Sequence, residues 1–259
     1  MDLGIAGRKA IVCGSSQGLG KGCALALAEA GVAVVVNGRS AAKLERTADE
    51  IQQATGVEVT PVVADVGTPD GQARLLDACP RPDILINNSG GPPFRDFREL
   101  DRAAMIDGVT MNMITPIELI QKVLDHMTAQ GFGRIVNITS ITVRMPIAGL
   151  DLSSGARAGL TSFLAGVSRS VAEHNVTINN IMPGYCDTER LRQGFAAAAE
   201  RTGRTVEAVA EQTAAAVPAK RFATPQEIGE ACAFLCSAHA GYITGQSLLV
   251  DGGLYPSAF

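Results

Sequence analysis

Lys9-Ala10-Ile11-Val12-Cys13-Gly14-Ser15-Ser16-Gln17-Gly18-Leu19-Gly20 sets a short apolar run against three glycines, and an Ala- and Leu-rich helical pattern follows as far as Ala30. The run reads as a buried strand stopped by Gly14, and Gly31 reads as the C-cap of the helix. Glycines between a strand and a helix let the backbone turn tightly and approach a diphosphate, which then sits against the exposed N–H groups of the helix start. At this position the pattern predicts a dinucleotide site at the head of an α/β domain.

Outward from that stretch, apolar runs alternate with helical patterns to the end of the chain. Strands are expected over residues 32–36, 57–63, 84–86, 134–138 and 177–181 and at Ser247–Val250, and Ser40 is expected to cap a helix running to about residue 55. Seven apolar strands separated by helices imply a parallel sheet covered on both faces. The expected fold is therefore a single Rossmann-type, doubly wound α/β domain over residues 1–259, with a mostly parallel seven-stranded sheet. The Ala-rich segment 187–220 has no strand signal and reads as a helical lid inserted over the sheet edge.

The chain has 259 residues and a net charge of −4, from 22 basic and 26 acidic side chains, which removes the footprint of a nucleic-acid binder. No uncharged apolar stretch reaches the roughly 18 residues of a membrane span, and the start of the chain lacks the pattern of a signal peptide. The six cysteines have no ligand partners at metal spacing. They read as small buried thiols in a reducing compartment, so a cytoplasmic, metal-free protein is expected.

The end of the second strand selects the nucleotide. NAD sites place a carboxylate there for the ribose 2′-OH. Here Val36-Asn37-Gly38-Arg39-Ser40 offers none. Arg39 is either a clamp for a 2′-phosphate or a solvated residue at a helix start; the missing carboxylate favours NADP(H) over NAD(H).

With these residues in view, the chain resembles the short-chain dehydrogenase/reductase family over essentially its whole length. Gly14, Gly18 and Gly20 resemble the family's G-x-x-x-G-x-G, with Cys13 where Thr is usual. Asp65-Val66 resembles the adenine-binding pair, and Asn87-Asn88-Ser89-Gly90 the N-N-A-G loop beneath the cofactor. Pro183-Gly184 and Thr188 resemble the segment that holds the nicotinamide carboxamide, and Asp251-Gly252-Gly253 the C-terminal signature. The resemblance implies a cofactor set of Gly14, Ser15, Ser16, Gln17, Gly18, Leu19, Gly20, Asn37, Arg39, Asp65, Val66, Asn88, Ser89, Gly90, Ile138, Arg157, Pro183, Gly184 and Thr188. It also implies a homotetramer built through helices around 112–131 and 153–174 and the C-terminal strand. Leu160, Phe163, Leu164 and Val167 supply apolar faces for such contacts, although burial against the sheet would explain them too.

The family's catalytic set is a serine, a tyrosine, a lysine four residues further on, and an asparagine that holds a relay water. By resemblance Asn112 and Ser140 match the asparagine and the serine. Thirteen residues beyond Ser140 stands Ser153, and four further Arg157, so the tyrosine and lysine are replaced. The stretch Leu150-Asp151-Leu152-Ser153 through Arg157, with Asn88-Ser89-Gly90-Gly91-Pro92-Pro93, is similar to a branch close to 3-oxoacyl-(acyl carrier protein) reductases. A serine hydroxyl is a poor proton donor at neutral pH, and an arginine keeps its charge but cannot release its proton. The expected catalytic residues are Asn112, Ser140, Ser153 and Arg157, with Arg144, Tyr185 and Cys186 bordering the substrate pocket. Two functions compete: an oxidoreductase that interconverts a carbonyl and a secondary alcohol on a small molecule, and a silent NADP(H)-binding scaffold or redox sensor.

Overall fold

The computed structural model describes residues 1–92 and 94–257. Its strands are β1 (Lys9–Val12), β2 (Ala33–Gly38), β3 (Val59–Val63), β4 (Ile84–Asn87), β5 (Gly133–Ile138), β6 (Val176–Pro183) and β7 (Ser247–Val250). They form one sheet in the order β3-β2-β1-β4-β5-β6-β7 with every pair parallel. The expectation of a mostly parallel sheet is met in full.

Between the strands run α1 (Gly18–Glu29), α2 (Ala41–Thr55), α3 (Pro69–Ala78), α4 (Arg102–Val109), α5 (Thr115–Gln130), α6 (Asp151–Val171), α7 (Glu189–Thr202), α8 (Val206–Ala216) and α9 (Pro225–Cys236). Parallel strands need such crossovers, and the helices bury both faces of the sheet. The two-residue period of a strand divides the core accordingly. Val12, Ile84 and Ile86 pack with Leu27, Leu44, Ile51 and Ile228 on one face. Ile11, Leu85 and Ile135 pack with Leu75, Leu119, Val123, Met127, Leu160 and Leu164 on the other. No helix among the described residues is long and apolar enough to cross a membrane, and all six cysteines are buried and free.

Three local expectations change. Ser40 stands at the N-cap of α2, but its side chain makes no capping hydrogen bond. On α6, Leu160 and Leu164 are 2% exposed and Val167 is packed against the same core, whereas Phe163 is 48% exposed. Of the four proposed contact residues, only Phe163 faces outward. The insertion 187–220 does form helices, but its start lies over the centre of the sheet rather than an edge. Thr188 approaches Gly18 beyond β1, and Arg190 reaches the carbonyls of Gly91 and Pro92 beyond β4.

Register places Asn87 at the end of β4, Asn137 near the end of β5, Asn180 within β6 and Ser247 at the start of β7 side by side. Asn87 Nδ2 donates to Asn137 Oδ1 at 2.9 Å, Asn137 Nδ2 to Asn180 Oδ1 at 3.1 Å, and Asn180 Nδ2 to Ser247 Oγ at 3.1 Å. Buried amides of this kind fix register because each orphaned member carries its full desolvation cost. Asn137→Val removes two of the three rungs, strands Asn180 Oδ1 and leaves Asn87 Nδ2 only its 3.5 Å bond to Pro116 O. We expect a loss of about 2–4 kcal/mol, read as a lower midpoint of urea unfolding with the slope unchanged.

Candidate active site

The strand order reverses between β1 and β4, the switch point at which open parallel sheets bind ligands beyond their strand ends. One wall of this crevice is the glycine loop. Gly14 has φ +57°, and a Cβ there would lie 2.7 Å from Asn88 O; a Cβ on Gly20 would lie 2.3 Å from Gly14 O. Only glycine lets these backbones come so close. Gln17 takes the N-cap of α1, no side chain caps the helix, and its first turn carries no acidic residue. The first internal bond runs from Lys21 N to Gln17 O, so the N–H groups of Gly18, Leu19 and Gly20 stand at the open helix start. Ser16 lies against Gly38, and its carbonyl accepts from Thr47 Oγ1.

Asn37 and Ser15 are buried and brace this loop. Asn37 is 2% exposed, donates to Val62 O and Ala64 O, and accepts from Gly14 N. Ser15 Oγ accepts from Asn37 N and donates to Val12 O. Arg39, by contrast, has a side chain 78% exposed, with one distant partner in Asp65 Oδ2 at 4.0 Å. A carboxylate does therefore lie near it, brought in by β3 rather than by β2. Asp65 Oδ1 accepts from Gly67 N, and Val66 lines the cavity described below.

The opposite wall is the loop after β4. Asn88 Nδ2 donates to Gly14 O at 3.0 Å, and Ser89 Oγ donates to Met111 O at 3.2 Å. A Cβ on Gly90 would meet open space. Pro93 of this loop motif lies outside the described residues. Gly184, after Pro183 at the end of β6, packs against Asp251 and donates to Val250 O. Thr188 caps α7 through its own hydroxyl.

Beneath the crevice is a small cavity of about 20 Å³, room for about one water, lined by Cys13, Val66, Asn112, Thr115, Ile138 and Arg157 among others. Thr110–Ile114 form one π-turn between α4 and α5, a helix irregularity common at functional sites. It carries Asn112, whose Nδ2 donates to Gly108 O at 3.2 Å. Asn112 Oδ1, Asn87 Oδ1 and Thr115 Oγ1 are buried without a protein partner, and all three residues line the cavity. Such atoms suit bound water.

Ser153 and Arg157 lie one turn apart on α6, and Arg157 Nε donates to Ser153 Oγ at 3.2 Å. Arg157 Nη1 donates to Ile138 O at 2.7 Å and Thr139 O at 2.9 Å. Burial, aided by the like charge of Arg190, pushes the Arg157 guanidinium down to about 10, so it stays cationic at neutral pH. Ser140 caps the short turn Ile141–Val143. Its Oγ accepts from Thr142 N at 3.1 Å and from Thr142 Oγ1 at 3.0 Å. The two contacts fix the Ser140 hydroxyl in place, with capacity left to bond an external oxygen.

The three residues expected around a substrate pocket separate. Tyr185 stands edge-on to Phe222 and lines a different pocket, with Arg221, Glu227 and Asp251. Cys186 is 6% exposed in the core, and burial pushes its thiol up to about 12. Arg144 is exposed, its guanidinium 5.9 Å from the Tyr255 ring. Two features escape a reading of the sequence. Thr142 orients Ser140, and Arg190 crosses from the lid to Gly91 and Pro92. A hydroxyl two residues after Ser140 was a visible signal for the first; nothing local signals the second.

Residues 14–255 match the family described as enoyl-(acyl carrier protein) reductase. The chain is 31% identical to the NADPH-dependent reductase BacG of Bacillus subtilis, over 95% of this chain and 97% of that one. It is also 31% identical to the 3-oxoacyl-[acyl-carrier-protein] reductase FabG of Pseudomonas aeruginosa, over 98% and 100% of the two. Among solved structures, L-sorbose reductase from Gluconobacter frateurii, complexed with NADPH and L-sorbose, superposes with a TM-score of 0.94 at 28% identity, covering 99% of this chain and 100% of that one. With its all-parallel sheet and glycine-lined switch point, the chain belongs to the short-chain dehydrogenase/reductase family of oxidoreductases.

Proposed function

We propose that the protein is an NADP(H)-dependent reductase that interconverts a small-molecule carbonyl and a secondary alcohol, with Ser153 and Arg157 standing where the family's tyrosine and lysine are usual. The observation that carries this reading is the Ser140 hydroxyl, fixed by Thr142 N and Thr142 Oγ1 and able to bond an external oxygen. NADPH-dependent reductases among the relatives support the choice of cofactor.

The residues fit a dinucleotide. The N–H groups of Gly18, Leu19 and Gly20 would receive the diphosphate, and Arg39 would leave Asp65 for the 2′-phosphate. Asp65 and Val66 would border the adenine, and Asn88, Ser89 and Gly90 the floor of the crevice. Ile138, Pro183, Gly184 and Thr188 would border the nicotinamide, and Arg157 would reach its ribose. When bound there, the nicotinamide supplies or accepts the hydride.

Ser140 donates to the substrate oxygen and draws charge onto it. Arg157 keeps a fixed positive charge beside Ser153 Oγ, which favours negative charge on that oxygen but delivers no proton. The proton then arrives from water, along the Ser153 hydroxyl and the cavity bordered by Asn112, Asn87 and Thr115. A silent scaffold is the second reading, favoured by the placing of Tyr185 in a separate pocket, which leaves no phenol at the cavity. Saturable NADPH binding without turnover on any carbonyl would select it. Phe163 on α6 and Ile114 before α5, 48% and 42% exposed, support a homotetramer built on these helices. A monomer by light scattering would refute that assembly.

Three outcomes test the reductase. Ser140→Ala should lower kcat/KM for NADPH-dependent carbonyl reduction by about 10²-fold while leaving NADPH affinity within about twofold. Unchanged turnover would remove Ser140 from the chemistry. Arg39→Ala should weaken NADPH binding by about 10–100-fold, the value of a charge-assisted contact to phosphate, and leave NADH binding unaltered; fluorescence titration reads both. Arg157, with its value near 10, remains charged, so kcat should show no side-chain inflection between about pH 6 and 9. Because folding lowers the value for Arg157, the unfolded chain holds the extra proton above that point. The cost of burying its charge is constant below that point, and only in strongly alkaline solution does stability rise with pH.

A further inference from the structure

We propose that the substrate is a short oxo acid, whose carboxylate is received between Arg190 of the lid and Arg157 of α6, beside the Ser153 hydroxyl. This rests on the reductase reading and adds a substrate class to it.

Arg190 sits in the first turn of α7 and is exposed, yet its guanidinium is held across the crevice. Its Nη1 donates to Gly91 O at 2.7 Å and its Nη2 to Pro92 O at 2.9 Å. The Cβ direction of Gly91 points into the same corner, ending 2.9 Å from Arg190 Nη2 and 3.5 Å from Ser153 Oγ. Lid guanidinium and α6 hydroxyl therefore converge over one glycine. Arg157, 8% exposed, approaches Ser153 from below, and its Nη2 has no hydrogen-bond partner among the described residues.

Charge decides what belongs there. Among the described residues no carboxylate lies within 4.0 Å of either guanidinium. The acidic residues nearest in the lid are engaged elsewhere: Asp187 with Arg192 at 2.8 Å, and Glu189 with Lys43 at 3.2 Å. Desolvation lowers the proton affinity of both arginines, and Arg190 lowers that of Arg157 further by repulsion. Arg157 is buried and Arg190 stays exposed beside it, so the cost lies in burying one cation against the like charge of the other, and an anion between them offsets that cost. Arg157 Nη2 and the Ser153 hydroxyl offer donors to a carboxylate, and Arg190 adds its charge beside them.

Position separates this anion from those of the cofactor. The open helix start and Arg39 serve the phosphates beyond β1 and β2, whereas Gly91 follows β4. Arg157 also holds the carbonyls of Ile138 and Thr139, the two residues before Ser140. The carboxylate therefore lies within a few atoms of the carbonyl that Ser140 polarises. The reacting end of an acyl thioester is neutral and would leave both charges without a partner.

Calorimetry with pyruvate and acetoacetate, each against its methyl ester, tests the assignment without requiring turnover. The titrations are run on the protein with and without NADP⁺. We expect each acid to bind about tenfold or more tightly than its ester, the worth of one charge-assisted pair, with the margin shrinking at high salt. Arg190→Gln should erase that margin while NADP⁺ affinity stays, and Arg190→Lys should restore part of it. Equal affinity for acid and ester, no binding of either acid, or an Arg190→Gln loss of NADP⁺ affinity as large as the loss for the acid would each overturn the proposal. Acid preference in a protein that shows no saturable NADP⁺ response would uphold the arginine pair while sinking the reductase reading.

Discussion

The amide of Asn88, donating to the carbonyl of Gly14, joins the C-terminal ends of β1 and β4 at the point where the strand order reverses. Everything in the site takes its place from that junction. It holds the glycine loop at the open start of α1, and it sets the course of the Ser89–Pro92 stretch that Arg190 later meets. The contact exists only because Gly14 and Gly20 carry no side chain: a Cβ on either would lie under 3 Å from backbone oxygen. The Asn87–Asn137–Asn180–Ser247 ladder extends the same constraint across the rest of the sheet. Because each buried amide must be paired, the strands cannot slip relative to one another.

On this rigid floor the reacting groups differ in kind from an acid–base pair. Two hydroxyls and one permanent cation surround the place where oxygen would gain charge. Such a set stabilises an anion well and transfers protons poorly. The orphaned polar atoms of Asn87, Asn112 and Thr115 lie at the cavity beside it. In the proposed reaction electrostatics would take the larger part, and solvent would supply the proton.

The lid is tied to both walls of the crevice. Lys43 bridges Gln17 and Glu189 on the side of the glycine loop, and Arg190 bridges to Gly91 and Pro92 on the other. Neither tie buries much apolar surface, and both lie at exposed side chains, so they hold the lid with modest energy. A segment held in this way can part for ligands without disturbing the core.

The seven strands, the helices between them and the glycine loop were legible in the sequence, because burial on both faces produces unbroken apolar runs and a strand-to-helix diphosphate site demands glycines at fixed spacing. Residue spacing also set Ser153 and Arg157 one turn apart on a single helix. Tertiary structure alone decided what is far apart in the chain and close in space. It turned Asn37 inward to hold the loop, sent Tyr185 and Cys186 away from the cavity, and set Asp65 beside Arg39. It also brought Arg190 over Gly91, 99 residues away in sequence. Local sequence reports the period and caps of an element; the partner of a side chain depends on which elements the sheet order makes neighbours, and no local pattern encodes that.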